Sequence, residues 1–211
     1  MDTVTVVMTQ KNRRRVKVIL DKGPAFNLSH AVAVEAGLHE GQTLSPHDIE
    51  SLKSTDQLHR SMNSALRYIG PRPHSEVEIK SRLIRHGFDI DTIKEALAKL
   101  KKQGFVDDIA FAQFWRENRE NFGPRSRRLM ELELKQKGVD AETIAEATKD
   151  VDDEQSAYRA AQKKARSLTG LDYQSFRKRM GPFLKRRGFG YELSNRTINR
   201  IWQEQSSELP D

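Results

Sequence analysis

Cysteine is absent from the 211-residue chain. That excludes disulfides and thiolate metal sites, and it fits a reducing cytoplasm, where the protein is expected. No apolar run approaches the roughly 20 residues of a membrane-spanning helix. The opening MDTVTVVMTQ also lacks the pattern of a signal peptide. No membrane partner is expected. Sequence signatures of catalysis are missing as well: there is no H-E-x-x-H, no G-x-x-x-x-G-K-[ST] and no G-x-S-x-G. All six histidines (30, 39, 47, 59, 74 and 86) fall in the first 86 positions, and none has metal-site spacing. Two carboxylate pairs, Asp107-Asp108 and Asp152-Asp153, each precede a helical segment, where N-capping accounts for them. His74 precedes SEVE, a capping-box start in which Ser75 pairs with Glu78, and is expected on the surface. The residues therefore point to no catalytic group, no metal and no cofactor, and so to a protein that is not an enzyme.

What the chain does have is a phrase written three times. RHGFDIDTI (85–93), QKGVDAETI (136–144) and RRGFGYELSNRTI (186–198) share a basic residue before Gly, an apolar residue after it, and a Thr-Ile pair opening the next segment. Its physical content is a helix end followed by a helix start. Gly87, Gly138 and Gly188 suit the left-handed residue that closes a last turn. Arg85, Lys137 and Arg187 suit the negative end of the helix dipole. Asp89 or Asp91, Asp140 and Ser194 offer N-caps for the following helix.

The glycines are 51 and 50 residues apart. Apolar residues lie four and eight positions before each: Leu83 and Ile79, Leu134 and Met130, Leu184 and Met180. After each lies another helical face: Ile93, Ala96 and Leu97; Ile144, Ala147 and Thr148; Ile198, Ile201 and Trp202. A third amphipathic segment precedes each pair. It is marked by Leu58, Met62, Ala65, Leu66 and Ile69, then by Ile109, Ala112 and Trp115, then by Tyr158, Ala161, Ala165 and Leu168. The spacing predicts three helices in about fifty residues, repeated three times. Charged residues at 32% and apolar residues at 36% suit such an array better than one compact globule.

The first fifty residues differ. TVTVVM (3–8) and RVKVIL (15–20) are rich in β-branched residues and flank the polar QKNRRR, a hairpin pattern. AFNL is placed as a short added strand after the turn DKGP. Ser29 caps a helix that Gly37 ends, and Ser45-Pro46 with Asp48 starts another. The fold expected is mostly α. A small α/β head with a β-hairpin (1–53) precedes three-helix repeats at 54–106, 107–151 and 152–211.

The net charge of +7 favours polyanions as partners. It is uneven. Residues 1–53 carry 7 basic and 6 acidic groups, 54–106 carry 10 and 6, 107–151 carry 8 and 10, and 152–211 carry 12 and 8. The sharpest run, FRKRMGPFLKRRGFG (176–190), holds Arg177, Lys178, Arg179, Lys185, Arg186 and Arg187 and no acid. These six are the candidate phosphate contacts, with Phe176, Phe183 and Phe189 expected in the core. Gly181-Pro182 either starts a new helix there or kinks one. A second cluster, GPRSRR (123–128), supplies Arg125, Arg127 and Arg128 at a helix start, a place suited to an anion or an acidic side chain. Glu131 and Glu133 are near enough to neutralise part of it.

Two segments carry a family resemblance. RPHSEVEIKSRLIRHGF (72–88) presents Arg72, Ser75, Glu78, Ile79, Leu83, Gly87 and Phe88. FVDDIAFAQFWRENRENFGPRSRRLMELELKQKGV (105–139) presents Asp108, Phe111, Ala112, Arg119, Gly123, Arg128, Leu134 and Gly138. In these patterns the chain resembles RecX, the regulators of the recombinase RecA, over about 55–203 and more loosely in the hairpin head. The third repeat departs from the others by Gly181-Pro182 and by a four-residue extension before Ser194. The resemblance implies three tandem three-helix units in a curved, extended monomer. It implies a non-enzymatic protein of homologous recombination, DNA repair and the SOS response. Such a protein binds the RecA filament on single-stranded DNA, limits its growth and strand exchange, and binds DNA directly but weakly. With RecA as partner, Arg125, Arg127 and Arg128 become the candidate anchors for its acidic side chains, since the middle repeat is the least basic. Two other functions fit a basic helical array: a helix-turn-helix DNA-binding regulator, and an RNA-binding scaffold. The first usually needs a dimer, and no separate dimerisation element is evident.

Overall fold

A computed structural model describes residues 1–9 and 14–207. Residues 10–13, where the hairpin turn was expected, lie outside the described residues. The chain divides into two compact units, Met1–Asp107 and Asp108–Asp211.

In the first unit, β1 (Asp2–Thr9), β2 (Arg15–Leu20), β3 (Phe26–Ser29) and β4 (Thr43–Leu44) form one antiparallel sheet of order β3-β2-β1-β4. The alternation in RVKVIL buries Val16, Val18 and Leu20 on one face against Val4, Phe26, Leu28, Ala33 and Leu44. The two-residue β4 had no legible pattern. It follows the short helix α1 (His30–Glu35) and pairs only Asp2–Leu44 and Thr3–Thr43.

Helix α2 (Pro46–Ile69) starts at the expected capping box, with Ser45 and Asp48 bonding each other's backbone N–H. It then runs 24 residues, across position 53/54, where the sequence divides head from first repeat. The reason is in its burial. Ile49 and Leu52 pack on the sheet, while Met62, Ala65, Leu66 and Ile69 pack on α3 (Glu76–Arg85) and α4 (Ile90–Lys102). One helix serves two cores, and no breaker occurs before Gly70. Between them the buried Asp56 accepts the Ser29 N–H at 2.5 Å and lies 3.7 Å from Arg15.

The second unit holds α5 (Asp108–Phe122), α6 (Arg127–Gln136) and α7 (Ala141–Thr148), then α8 (Asp153–Ala165), α9 (Tyr173–Arg186) and α10 (Tyr191–Ser207). With α2–α4 these make nine array helices among the described residues, the number expected. The repeated phrase is one backbone closure made three times. Gly87, Gly138 and Gly188 have φ of 80°, 82° and 87°. Each donates to the carbonyl three residues back, and the apolar residue after it donates to the carbonyl five back (Phe88 to Leu83, Val139 to Leu134, Phe189 to Leu184). The six apolar residues four and eight positions before the glycines are all fully buried.

Three expectations are corrected. Ser194 does not cap the third unit's last helix. Of the four extra residues before Ser194 only Gly190 precedes the helix; α10 begins at Tyr191, and Ser194 lies inside it, buried, with its N–H on the Gly190 carbonyl. His74 is not on the surface. It is 6% exposed, its ring 3.8 Å from that of Tyr68 and its Nδ1 2.8 Å from the Arg72 carbonyl. Ile109 does not face the core but is 58% exposed, because α5 buries Phe111 and Ala112 instead.

Asp89, Asp140 and Asp172 cap α4, α7 and α9. Their carboxyls are held below the ordinary carboxylate range. Hydrogen bonds from the Thr92 side chain and backbone, the Thr143 backbone and side chain, and the Ser175 backbone and side chain, respectively, are the main causes. A folded pKa below the unfolded one gives stability that is fully present above about pH 4 and is lost as pH falls through the folded value. Asp140→Asn should therefore flatten the decline in urea midpoint below about pH 4, with little change at neutral pH. An unaltered acid limb would refute the role of the ionised cap.

Candidate nucleic-acid and partner interface

Helix α9 is continuous from Tyr173 to Arg186 with Pro182 inside it. Proline removes one N–H and clashes with a β-carbon before it. Here the preceding residue is Gly181, which has none, so the helix is not divided. Phe176, Met180 and Leu184 are fully buried, and Phe189 nearly so. That face fixes the opposite one, where Arg177, Lys178, Arg179, Lys185 and Arg186 are all exposed.

None of these five cations makes an ion pair among the described residues. Elsewhere pairing is common: Lys94 with Asp91, Lys99 with Glu95, Lys149 with Glu146, and Arg200 with Glu204. The α9 stripe is therefore not neutralised by ion pairs among the described residues. Arg187 differs from the five. It is half-buried, its guanidinium stacks 3.8 Å from the Phe183 ring centroid, and burial and then Arg186 press its pKa below the ordinary value.

The second cluster lies next to the first. The Arg187 carbonyl accepts the Ser126 N–H at 2.9 Å, and buried Ser126 caps α6 by accepting the Leu129 N–H at 3.2 Å. Arg125 is held below its usual pKa by burial, then by the charges of Arg119 and Arg187. The structure thus joins two arginine clusters through Ser126 and Arg187, which lie 61 residues apart in the sequence.

Within GPRSRR the three arginines differ. Arg125 pairs with Glu133, whose other oxygen accepts from Arg119 Nε at 2.8 Å and Trp115 Nε1 at 2.9 Å. Arg127 donates to Glu131 at 3.0 Å and to the Lys149 carbonyl at 3.4 Å, while its N–H donates to Asp153 at 2.7 Å. Only Arg128 is exposed and without an ion pair among the described residues. Local neutralisation by Glu131 and Glu133 thus occupies two of the three candidate anchors.

Tyr191 was not singled out by sequence. It is 77% exposed, and its hydroxyl is held below the ordinary tyrosine pKa by Asn195 and then by Arg177. An exposed ring beside a cation is a platform on which a base can stack. The signal was present in RRGFGY, an aromatic residue just past the basic run, but helix α10 was expected to begin later.

No cluster of three or more His, Asp or Glu suited to a metal occurs among the described residues. No helix among them is long and apolar enough to cross a membrane.

Comparison with known proteins supplies a family context. Models of the first, second and third three-helix domains of RecX match residues 62–100, 107–147 and 152–198. The regulatory protein RecX of Chlorobaculum tepidum is 35% identical over 147 residues, covering 70% of this chain and 91% of that protein. RecX of Lactobacillus gasseri is 26% identical over 211 residues, covering 99% and 78%. A crystal structure of a regulatory protein RecX superposes with a TM-score of 0.67 at 20% identity, over 94% of this chain and all of that one. RecX from Lactobacillus salivarius gives 0.56 at 21% identity, over 70% and 97%. At such identities the two structures speak for the fold.

Proposed function

The chain belongs to the RecX family of regulatory proteins, and on that premise we propose that it modulates the recombinase RecA without catalysing a reaction of its own. It binds the RecA filament on single-stranded DNA and limits filament growth and strand exchange. The observation that carries the reading is the basic surface of α9 continued by Arg128 beyond the Ser126–Arg187 junction. Unpaired cations on a rigid helix suit a polyanion, and their neutral neighbours suit a protein. Lys178, Lys185 and Arg186 share one face of α9 and are the phosphate contacts, with Arg177 and Arg179 flanking them. Arg128 faces acidic side chains of RecA, while Arg125 and Arg127 hold its loop in place. The protein works as a monomer in the cytoplasm.

The test is the single-strand-dependent ATPase of RecA, measured with and without this protein, together with filament length by electron microscopy. Falling ATPase and shorter filaments are expected; unchanged values of both would end the proposal. Arg128→Ala should weaken this inhibition about fivefold, the equivalent of roughly 1 kcal/mol at an interface. Binding to bare DNA should change less. Equal losses in the two assays would make Arg128 a phosphate contact instead.

A further inference from the structure

We propose that the first unit carries a second binding surface for single-stranded nucleic acid, in the groove where the sheet meets α2 and the α3–α4 turn. This surface is separate from α9 and does not depend on RecA. The groove has a volume of about 680 Å³. Arg60 and Arg67 line it from α2, Arg15 from the start of β2, His30 from the start of α1, and His86 and Phe88 from the turn around Gly87.

Three observations carry the inference. First, no carboxylate is among the described residues that line the groove. The nearby Asp56 is 3% exposed and already held by the Ser29 N–H and Arg15. A larger groove in the second unit shows the contrast: there Arg116, Arg127 and Lys149 share the walls with Asp140, Glu142 and Glu146. A groove of one sign focuses its field on a counter-charged ligand.

Second, the cations are in register on a rigid support. His59, Arg60, Asn63, Ser64 and Arg67 recur at helical spacing along one face of α2. Arg60 and Arg67 are exposed and make no ion pair among the described residues. Two turns of helix separate them by about 10 Å, so a single strand running along the helix can meet both. The basic face continues into a smaller pocket that shares Ser64, Arg67 and His86 and adds Arg82. Arg82 lies over the Tyr68 ring at 4.7 Å and likewise has no carboxylate partner among the described residues.

Third, flat rings stand among the charges, Phe88 half-buried with its other side on the α2–α4 core. Phe88 lies 5.9 Å from the Arg60 guanidinium, and His30, His59 and His86 line the same walls. Backbone-tracking cations interleaved with rings suit unpaired bases, which can stack, better than a duplex or an acidic peptide.

The experiment is fluorescence anisotropy of labelled oligo(dT) with the full chain and no RecA, titrated with salt. Arg60→Gln with Arg67→Gln should flatten the salt slope by about 1.4 units, at roughly 0.7 per single-strand contact. Over a fourfold rise in salt that is about a sevenfold smaller loss of affinity. Lys94→Gln with Lys99→Gln removes the same charge from α4, where both are ion-paired, and should leave the slope unchanged. Equal slopes in the wild type and the α2 variant, or equal effects of the two variants, would overturn the proposal. Photocrosslinking of 4-thiothymidine oligonucleotide to the unmodified protein gives an answer independent of any variant. Adducts on the peptide holding His86 and Phe88 are expected, and adducts confined to α9 would overturn it. RecA is absent throughout, so failure here leaves the RecA proposal to its own assay.

Discussion

Replacing Gly188 by alanine is expected to cost about 2–5 kcal/mol, whereas the same change at Gly87 should cost about 1–2 kcal/mol. The two glycines occupy equivalent turns, with φ of 87° and 80°. Either alanine meets the backbone cost of a left-handed residue. Their surroundings differ. A β-carbon at Gly87 would have nothing within 4 Å, while at Gly188 it would lie 2.3 Å from Ser126 Oγ and 2.7 Å from Leu129 Cβ. Leu129 Cβ cannot move without its backbone, so the α9–α10 turn must shift away from α6. That shift also strains the Ser126–Arg187 hydrogen bond that joins the two arginine clusters. Urea midpoints of the two variants measure the difference. Equal losses would mean that the turn does not pack on α6 as described.

The second large effect concerns DNA. Lys178→Gln, Lys185→Gln and Arg186→Gln together should flatten the salt dependence of oligo(dT) binding by about 2 units. Three such contacts account for about a twenty-fold weakening over a fourfold rise in salt, and the variant should lose that share. All three residues are exposed and outside the core, so helical circular dichroism and the thermal midpoint should hold. Arg187 is left in place because its stacking on Phe183 and its carbonyl bond to Ser126 make it part of the structure. An unchanged slope in the folded variant would reduce the stripe to a solvated face.

These two sites show how differently turn and surface chemistry can be read from a sequence. The turn at Gly188 was legible, since Lys185, Gly188 and Phe189 announce it within a few residues. Its docking on Ser126 was not, since nothing in RRGFG says which helix lies beneath it. The six cations of residues 177–187 were legible as a group, and the five that lie in α9 are exposed. GPRSRR supplied three candidate anchors with Glu131 and Glu133 near enough to neutralise some of them; which ones only the structure decides, with Glu133 between Arg119 and Arg125 and Glu131 beside Arg127. The groove on α2 is not legible in the sequence, where Arg60 and Arg67 are two of several charges along a long helix. They become a site when β2 and the α3–α4 turn bring Arg15 and His86 beside them.

By itself the sequence determined where most helices end and begin, the start of α10 excepted, which residues enter each three-helix core, Ile109 excepted, and how much positive charge the chain carries. Those properties rest on interactions spanning a few residues: a left-handed glycine, a capping carboxylate, apolar side chains at helical spacing. Tertiary structure alone decided which charges stay free, why α2 runs on through two cores, why His74 is buried against Tyr68, and how Ser126 joins Arg187. Each of those depends on groups distant in the chain meeting in space, where packing and the need to satisfy buried polar groups select among locally equivalent choices.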